Sequence, residues 1–428
     1  VDLCDSAVQH RTRINIRGDV GDNRSGLCNS GAETGGSFTG GGGSLTVFQG
    51  DSEQVIGKGV SYDFNELFIR NTTRAEQDVT VQNFAGGSGT LIVGNSSASR
   101  NATFTVNNTG STLNGDLTVE SNSTLNLNGA NALEIDGLAN ITGTLTLSSQ
   151  AGGNLSVAGG LTLDGTLNGN GRKVIFAPSA GLTATLSTST LPLTLENVAH
   201  TGGGNLQIDD PLNIIGDFEA SGGAVTGGPI TFNGGVAQAL VAPGRSLPDV
   251  FVENNSSVDL QDIDQTGEEL TLASLSVGSG STFDFGASLK SDVEVTGNVD
   301  VDGSLLLSSS TDADASNLKV GNNLLFSGSF TPRDESVIFN GSGTQDIENT
   351  SGNALTFFDL EIDNGSGFDN ASNGKSAVEI TSGTVEVEQD LILTKGEFGT
   401  GGALTLRSQF DDPDGDGTGV VRDAAITL

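Results

Sequence analysis

The sequence predicts an all-β protein built as an elongated parallel β-solenoid, on three observations. Short runs in which Leu, Val and Ile alternate with polar residues fill most of the chain, as in GTLTLSSQAGGNLSVAGGLTLDGTLNG at 143–169, and a period of two is the mark of half-buried strands. Gly, Asn, Asp and Ser punctuate these runs, and no stretch carries a convincing helical period. A longer motif, Phe-[Asn/Gln]-Gly-x-x-x-Gln, recurs at 48–54, 232–238 and 339–345. A repeat of strand, turn and strand cannot cover its own apolar face, so successive coils must stack.

The core this text can build is thin and aliphatic. Trp and Met are absent, there is one Tyr, and Phe is the main large residue among 428, of which 63 are Gly. Net charge is −35, from 53 acidic and 18 basic residues. Such a surface repels nucleic acid and anionic membranes, and suits solubility in salt or the binding of cations. No apolar run reaches membrane-spanning length.

Three segments follow from the changes in text. Residues 1–44 are set apart by the basic stretch HRTRINIRGDV and a Gly-rich connection at 31–44. They read as an N-terminal cap or donor segment. Cys4 and Cys28 lie here; a bridge between them would close a loop of about 25 residues, worth on the order of 3 kcal/mol. With no other cysteine in the chain, the pair points to an oxidising compartment; two free thiols are the alternative. The chain starts at Val1 and shows no signal peptide, which reads as a secreted segment after removal of its targeting sequence. Residues 45–410 form the solenoid. At roughly 20 residues per coil and about 4.8 Å between coils, they would make some 18 coils over about 85 Å. Residues 411–428 hold an acidic loop and a terminal strand.

Within the solenoid, each copy of the motif is followed by a second element ending in Asn. The first pairs Phe48, Gly50 and Gln54 with LFIRN, ending at Asn71. The second pairs Phe232, Gly234 and Gln238 with VFVEN, ending at Asn254. The third pairs Phe339, Gly341 and Gln345 with LEIDN, ending at Asn364. VIFAPSA at 174–180 and LTLEN at 193–197 read as a degenerate fourth copy. Glycines admit tight corners, and asparagines at strand ends can bond along a ladder of equivalent turns. The competing architecture is an array of antiparallel sandwiches, for which Asn128-Gly129 and Asp164-Gly165 offer hairpin turns.

The stretch VIFNGSGTQDIENTSGNALTFFDLEIDNGSG at 337–367, with ITSGTVEVEQDLILTKGEFGTGGALTLRS at 380–408, resembles a repeat of bacterial surface proteins that is common in the Bacteroidota and often exported by the type IX secretion system. More loosely, the coils are similar to those of filamentous haemagglutinins and autotransporter passengers. The resemblance implies a right-handed parallel β-helix at the cell surface or in the extracellular matrix, and it implies no catalytic residue.

One loop carries metal-binding text. In DDPDGDGTGVVRD, Asp412, Asp414 and Asp416 alternate, Thr418 offers a backbone carbonyl, and Asp423 closes the set. This is the ligand order of an EF-hand-type calcium loop, here without flanking helices and with Asp in place of the final Glu. A solvated acidic turn is the alternative.

Catalysis has little to stand on. Asp209 and Asp210 are the only echo of the paired aspartates with which some β-helices cleave polysaccharides, and they lack the companion motifs of that chemistry. His10 and His200 have no partner at metal-ligand spacing and read as surface residues. Flat Thr-x-Thr arrays order water in ice-binding solenoids; TLT occurs at 144–146, but the sequence does not show it in register over many coils.

The expected function is therefore non-enzymatic: an extracellular structural or adhesive solenoid. It would meet copies of itself head to tail, through RTRINI at 11–16 or the terminal strand at 419–428. Other surface proteins or glycans are the remaining partners. A polysaccharide-active enzyme and a calcium-dependent glycan-binding module are the alternatives.

Overall fold

The computed structural model describes residues 14–16, 38–39, 45–49, 53–56, 62–75, 79–81, 89–94, 101–107, 111–261, 268–286, 292–308, 317–365, 376–407, 420–422 and 426–427. Cys4, Cys28, Gly50, Asp412, Asp414, Asp416, Thr418 and Asp423 lie outside them. Among the described residues every element is a β-strand or a turn and the paired strands run parallel, so the chain is an all-β parallel β-solenoid. It divides into two compact units, Val1–Asp210 and Pro211–Leu428.

In the first unit each coil from Leu45 to Phe176 contributes one strand to each of three sheets. One coil runs through Leu133–Ile135, Leu138–Ile141 and Thr144–Thr146 before the next begins at Leu155–Val157. Alternate residues face inward and stack on their equivalents in the next coil. Leu125 pairs with Leu145, and Leu133 with Leu155. Burying each such leucine contributes roughly 1.5–3 kcal/mol, which is what offsets the entropy of ordering short strands. Strands of one sheet begin at Leu45, Glu66, Gly89, Gly115, Leu138, Gly160, Thr183 and Asn205. A coil therefore takes more than the roughly 20 residues expected, and the chain has room for fewer than the 18 coils that estimate implied.

Corners depend on glycine where two coils touch. Asp164 and Gly165 both donate their N–H to the Ile141 carbonyl, at 2.9 and 2.8 Å. A Cβ on Gly165 would stand 2.0 Å from the Gly143 oxygen of the preceding coil. Asp164-Gly165 and Asn128-Gly129, the candidate hairpin turns, thus join strands of a parallel coil.

The second unit repeats the scheme. Ile230, Val250, Leu275, Val299, Leu324 and Ile347 form one interior column. Its corners carry the expected side-chain ladder. The Asn298 side-chain oxygen accepts from the Asn323 N–H at 3.2 Å, and that of Asn323 accepts from the Asp346 N–H at 2.9 Å. Each bond satisfies a backbone donor that a turn would otherwise leave without a strand partner.

Strands of both proposed donor segments pair within the chain and stand at the ends of their sheets. Ile14–Ile16 pairs with the strand of Thr46, Val47 and Phe48, Val420–Arg422 pairs with Glu397–Gly399, and Ile426–Thr427 pairs with Leu404 and Thr405. No helix among the described residues is long and apolar enough to cross a membrane.

Candidate functional site

The recurrent motif is a corner clasp. Phe48, Phe232 and Phe339 are fully buried. They stack on Ile69, Val252 and Ile362 of the second element, one coil on. The glutamine stands at the start of the next strand, first in it at Gln54 and Gln345 and second at Gln238, and turns its amide inward. Gln345 Nε2 donates to the Val320 and Asn322 carbonyls at 2.7 and 2.8 Å, while its Oε1 accepts from the Gly341 N–H at 3.1 Å. Gln238 does the same with the Ile214 and Gly216 carbonyls and the Gly234 N–H. The motif glycine is needed because the amide and the previous coil occupy its Cβ position: at Gly341 that atom would meet the Gly321 oxygen at 2.5 Å and Gln345 Cδ at 2.7 Å.

The terminal asparagine completes the clasp in two copies. Asn364 Nδ2 donates to Gln345 Oε1, and Asn71 Nδ2 to Gln54 Oε1, each at 2.7 Å. Asn254 departs from this. It is exposed, holds φ 57° and donates to the Asn233 carbonyl instead. The degenerate copy is corrected by one strand. Leu193–Leu195 is a separate strand, and Phe176 stacks on His200 rather than on LTLEN. His200, expected at the surface, is fully buried in the column Ile135, Val157, Phe176, with Nε2 3.0 Å from the Gly204 carbonyl. That carbonyl supplies the partner a buried imidazole requires. Asn71 is also buried.

Asp209 and Asp210 sit in the turn after Asn205–Ile208. Asp210 accepts the Thr188 N–H at 2.9 Å, which is a corner role.

The outward columns are where the units meet solvent. Asp300 lies beside Asp302, and partial burial, reinforced by that neighbour, pushes its carboxyl above the usual range. Burial does the same to Asp359, whose neighbour Asp390 adds charge while its N–H works the other way. Asp164 is held below the usual range by the Ser189 N–H, helped by hydroxyls of Ser189 and Thr188. Burial works against the Lys319 ammonium, but Asp292 and Glu269 outweigh it and raise its pKa. The signs set a pH profile. Asp300 and Asp359, raised above the unfolded value of about 3.9, destabilise the fold when ionised, and that cost fades as pH falls toward about 4. The contribution of Asp164 is present above that value and is lost as pH falls through its depressed folded pKa. Thermal midpoints should be higher at mildly acidic pH than at neutrality and drop again in strong acid. Asp300→Asn should raise the neutral midpoint and shrink the gain on acidification, read by circular dichroism melts.

One outward face of the first unit stands apart. Thr72, Thr103, Thr124, Thr144 and Thr166 are consecutive partners in a single column. Two residues along, the second column runs Arg74, Thr105, Asn126, Thr146 and Asn168. As expected, Thr-x-Thr itself does not recur in register: of these five strands only 103–105 and 144–146 carry it, with Thr124 and Asn126 between them, and what repeats is the threonine of the first column. Amides join the second column in two pairs: Asn168 Nδ2 donates to Thr146 Oγ1 at 3.3 Å, and Asn126 Nδ2 to Thr105 Oγ1 at 3.5 Å. From Thr103 to Asn168 neither column holds a charge. On the neighbouring sheets the outward positions include Glu66, Asp116 and Glu134.

Among the described residues no three His, Cys, Asp or Glu side chains gather where they could hold a metal. The concavity bordered by Val106, Leu127, Gly129, Asn131 and Leu133 has about 220 Å³ of space, open solvent included. No protein family, curated protein or solved structure matches this chain.

Proposed function

We propose that the protein is an extracellular structural or adhesive solenoid of a bacterial surface or matrix, which meets its partner through flat columns of short side chains rather than a pocket. The observation that carries this is the neutral threonine grid on an otherwise strongly acidic chain. A column of uncharged Thr and Asn gains nothing from repelling copies of itself, as carboxylates do, and offers hydroxyl donors and acceptors at a fixed repeat. The resemblance of 337–367 to surface repeats agrees with it. Head-to-tail assembly and calcium at Asp412, Asp414, Asp416, Thr418 and Asp423 belong to the same reading.

The test uses beads coated with the full chain. They should hold to extended solid surfaces under flow, and purified material should be scanned for filaments by electron microscopy. Lysine at Thr124 and Thr144 should release the beads. Release of sugar from acidic polysaccharides, abolished by Asp209→Asn with Asp210→Asn, would replace this reading with the enzymatic one. Adhesion lost in chelator and restored by Ca²⁺ would move the contact to the acidic loop.

A further inference from the structure

The grid's chemistry narrows its ligand. In the coils from Thr103 to Asn168 the two columns present eight outward positions, all Thr or Asn, in a chain of net charge −35. A cation, an anionic lipid, a nucleic acid or a charged mineral face would find nothing there to pair with. Crystalline polysaccharides are neutral, but flat binding of sugars leans on aromatic rings. This grid has none, and the whole chain has one Tyr and no Trp.

What remains is a neutral, periodic lattice of hydroxyls. Thr suits it because one side chain carries a methyl and a hydroxyl, and β-branching restricts χ1. The repeat is set by the backbone: about 4.8 Å between strands and roughly 6.6–6.8 Å between alternate residues of a strand. Ice is itself a periodic lattice of hydroxyl donors and acceptors, so a surface with a fixed repeat of hydroxyls can meet it at many points at once. The register of the five strands carries no shift, unlike the breaks after Ile347 and Ile362 in the second unit. Within the second column, Asn–Thr bonds fix Asn126 to Thr105 and Asn168 to Thr146 across neighbouring strands. A grid already ordered in the free protein loses little entropy on meeting a solid.

We infer that this face binds ice, the ordered surface waters of the grid merging with the crystal. The inference rests on the adhesive reading of the same face and names its ligand.

The experiment uses the full chain, in nanolitre osmometry and in partition into a slowly grown ice hemisphere. The expected result is a gap between melting and freezing temperatures together with enrichment in the ice. Thr124→Lys with Thr144→Lys should abolish both, with an unchanged circular dichroism spectrum and melt, because both side chains point outward. Ser156→Lys, on a different sheet, should leave both unchanged. Exclusion of the unaltered chain from ice, or ice activity indifferent to the two lysines, would overturn the inference. Retention on microcrystalline cellulose or chitin that the lysines abolish, without ice activity, would also overturn it and assign the face to polysaccharide. In that case the adhesive reading stands; it falls only if coated beads hold to nothing.

Discussion

Replacing Gln345 by leucine is expected to cost the second unit about 3–5 kcal/mol, far more than the loss of one hydrogen bond. The side chain is nearly the volume of leucine, so packing changes little. Its amide, however, is the partner of the Val320 and Asn322 carbonyls, of the Gly341 N–H and of Asn364 Nδ2. Each buried group left unsatisfied costs roughly 1–3 kcal/mol, although relaxation toward solvent lowers the sum. Gln345→Glu keeps the shape but would bury a carboxylate against the Val320 and Asn322 carbonyls, so at neutral pH it should cost at least as much as leucine. Native-state hydrogen exchange reads the effect locally, which suits a stacked array whose coils need not unfold together. Protection should fall first in Leu324–Phe326 and Gln345–Asn349. A change within about 0.5 kcal/mol, as at an ordinary surface site, would show that the clasp is not what holds this corner.

Gly165→Ala in the first unit should be destabilising by about 3 kcal/mol, at the upper end of the usual cost of overpacking. Its cause is contact alone, since the new methyl would stand 2.0 Å from the Gly143 oxygen and 2.7 Å from the Thr142 carbonyl carbon. Those are backbone atoms, held in turn by the Gly143 N–H bond to Val119 at 2.9 Å. They can withdraw only by separating the coils. Gly343 provides the control, with nothing within 4 Å of its Cβ position. There alanine should be neutral or stabilising by up to about 1 kcal/mol, through the unfolded chain. Chemical denaturation of the two variants against the parent separates these outcomes. Equal effects at both positions would mean that glycine serves flexibility rather than close approach.

Much of the fold was legible because one physical demand dominates it. Strands that bury one face must alternate, and Leu-x-Val text shows that wherever it occurs. The Phe-x-Gly-x-x-x-Gln motif was legible as a repeat, but its meaning was not. Nothing in the letters says that a glutamine folds back to its own glycine and to the preceding coil. Alternation also misled. LTLEN and LEIDN spell the same half-buried strand, yet the structural counterpart of the latter, stacked on the preceding Phe strand, is the segment around Val198 and His200. His200 looked like a surface residue because its partner, the Gly204 carbonyl, is a backbone group that no sequence pattern advertises. The threonine column escaped for a different reason. The strands beginning at Thr72, Thr103, Thr124, Thr144 and Thr166 are joined by connections of unequal length, so no fixed period reveals that they share a face. The register that aligns them is a property of the stack.

All of this depends on coils stacked in parallel, rung upon rung, in the order that places Thr72 four strands from Thr166. Spin labels at those two positions, in a chain with Cys4 and Cys28 replaced by serine, test it by pulsed electron resonance. Four steps of about 4.8 Å predict one narrow distribution centred near 19 Å, broadened by the label arms. A longer or multiply peaked distribution, such as an antiparallel sandwich would produce, would contradict the stacking and the clasp and threonine face built on it.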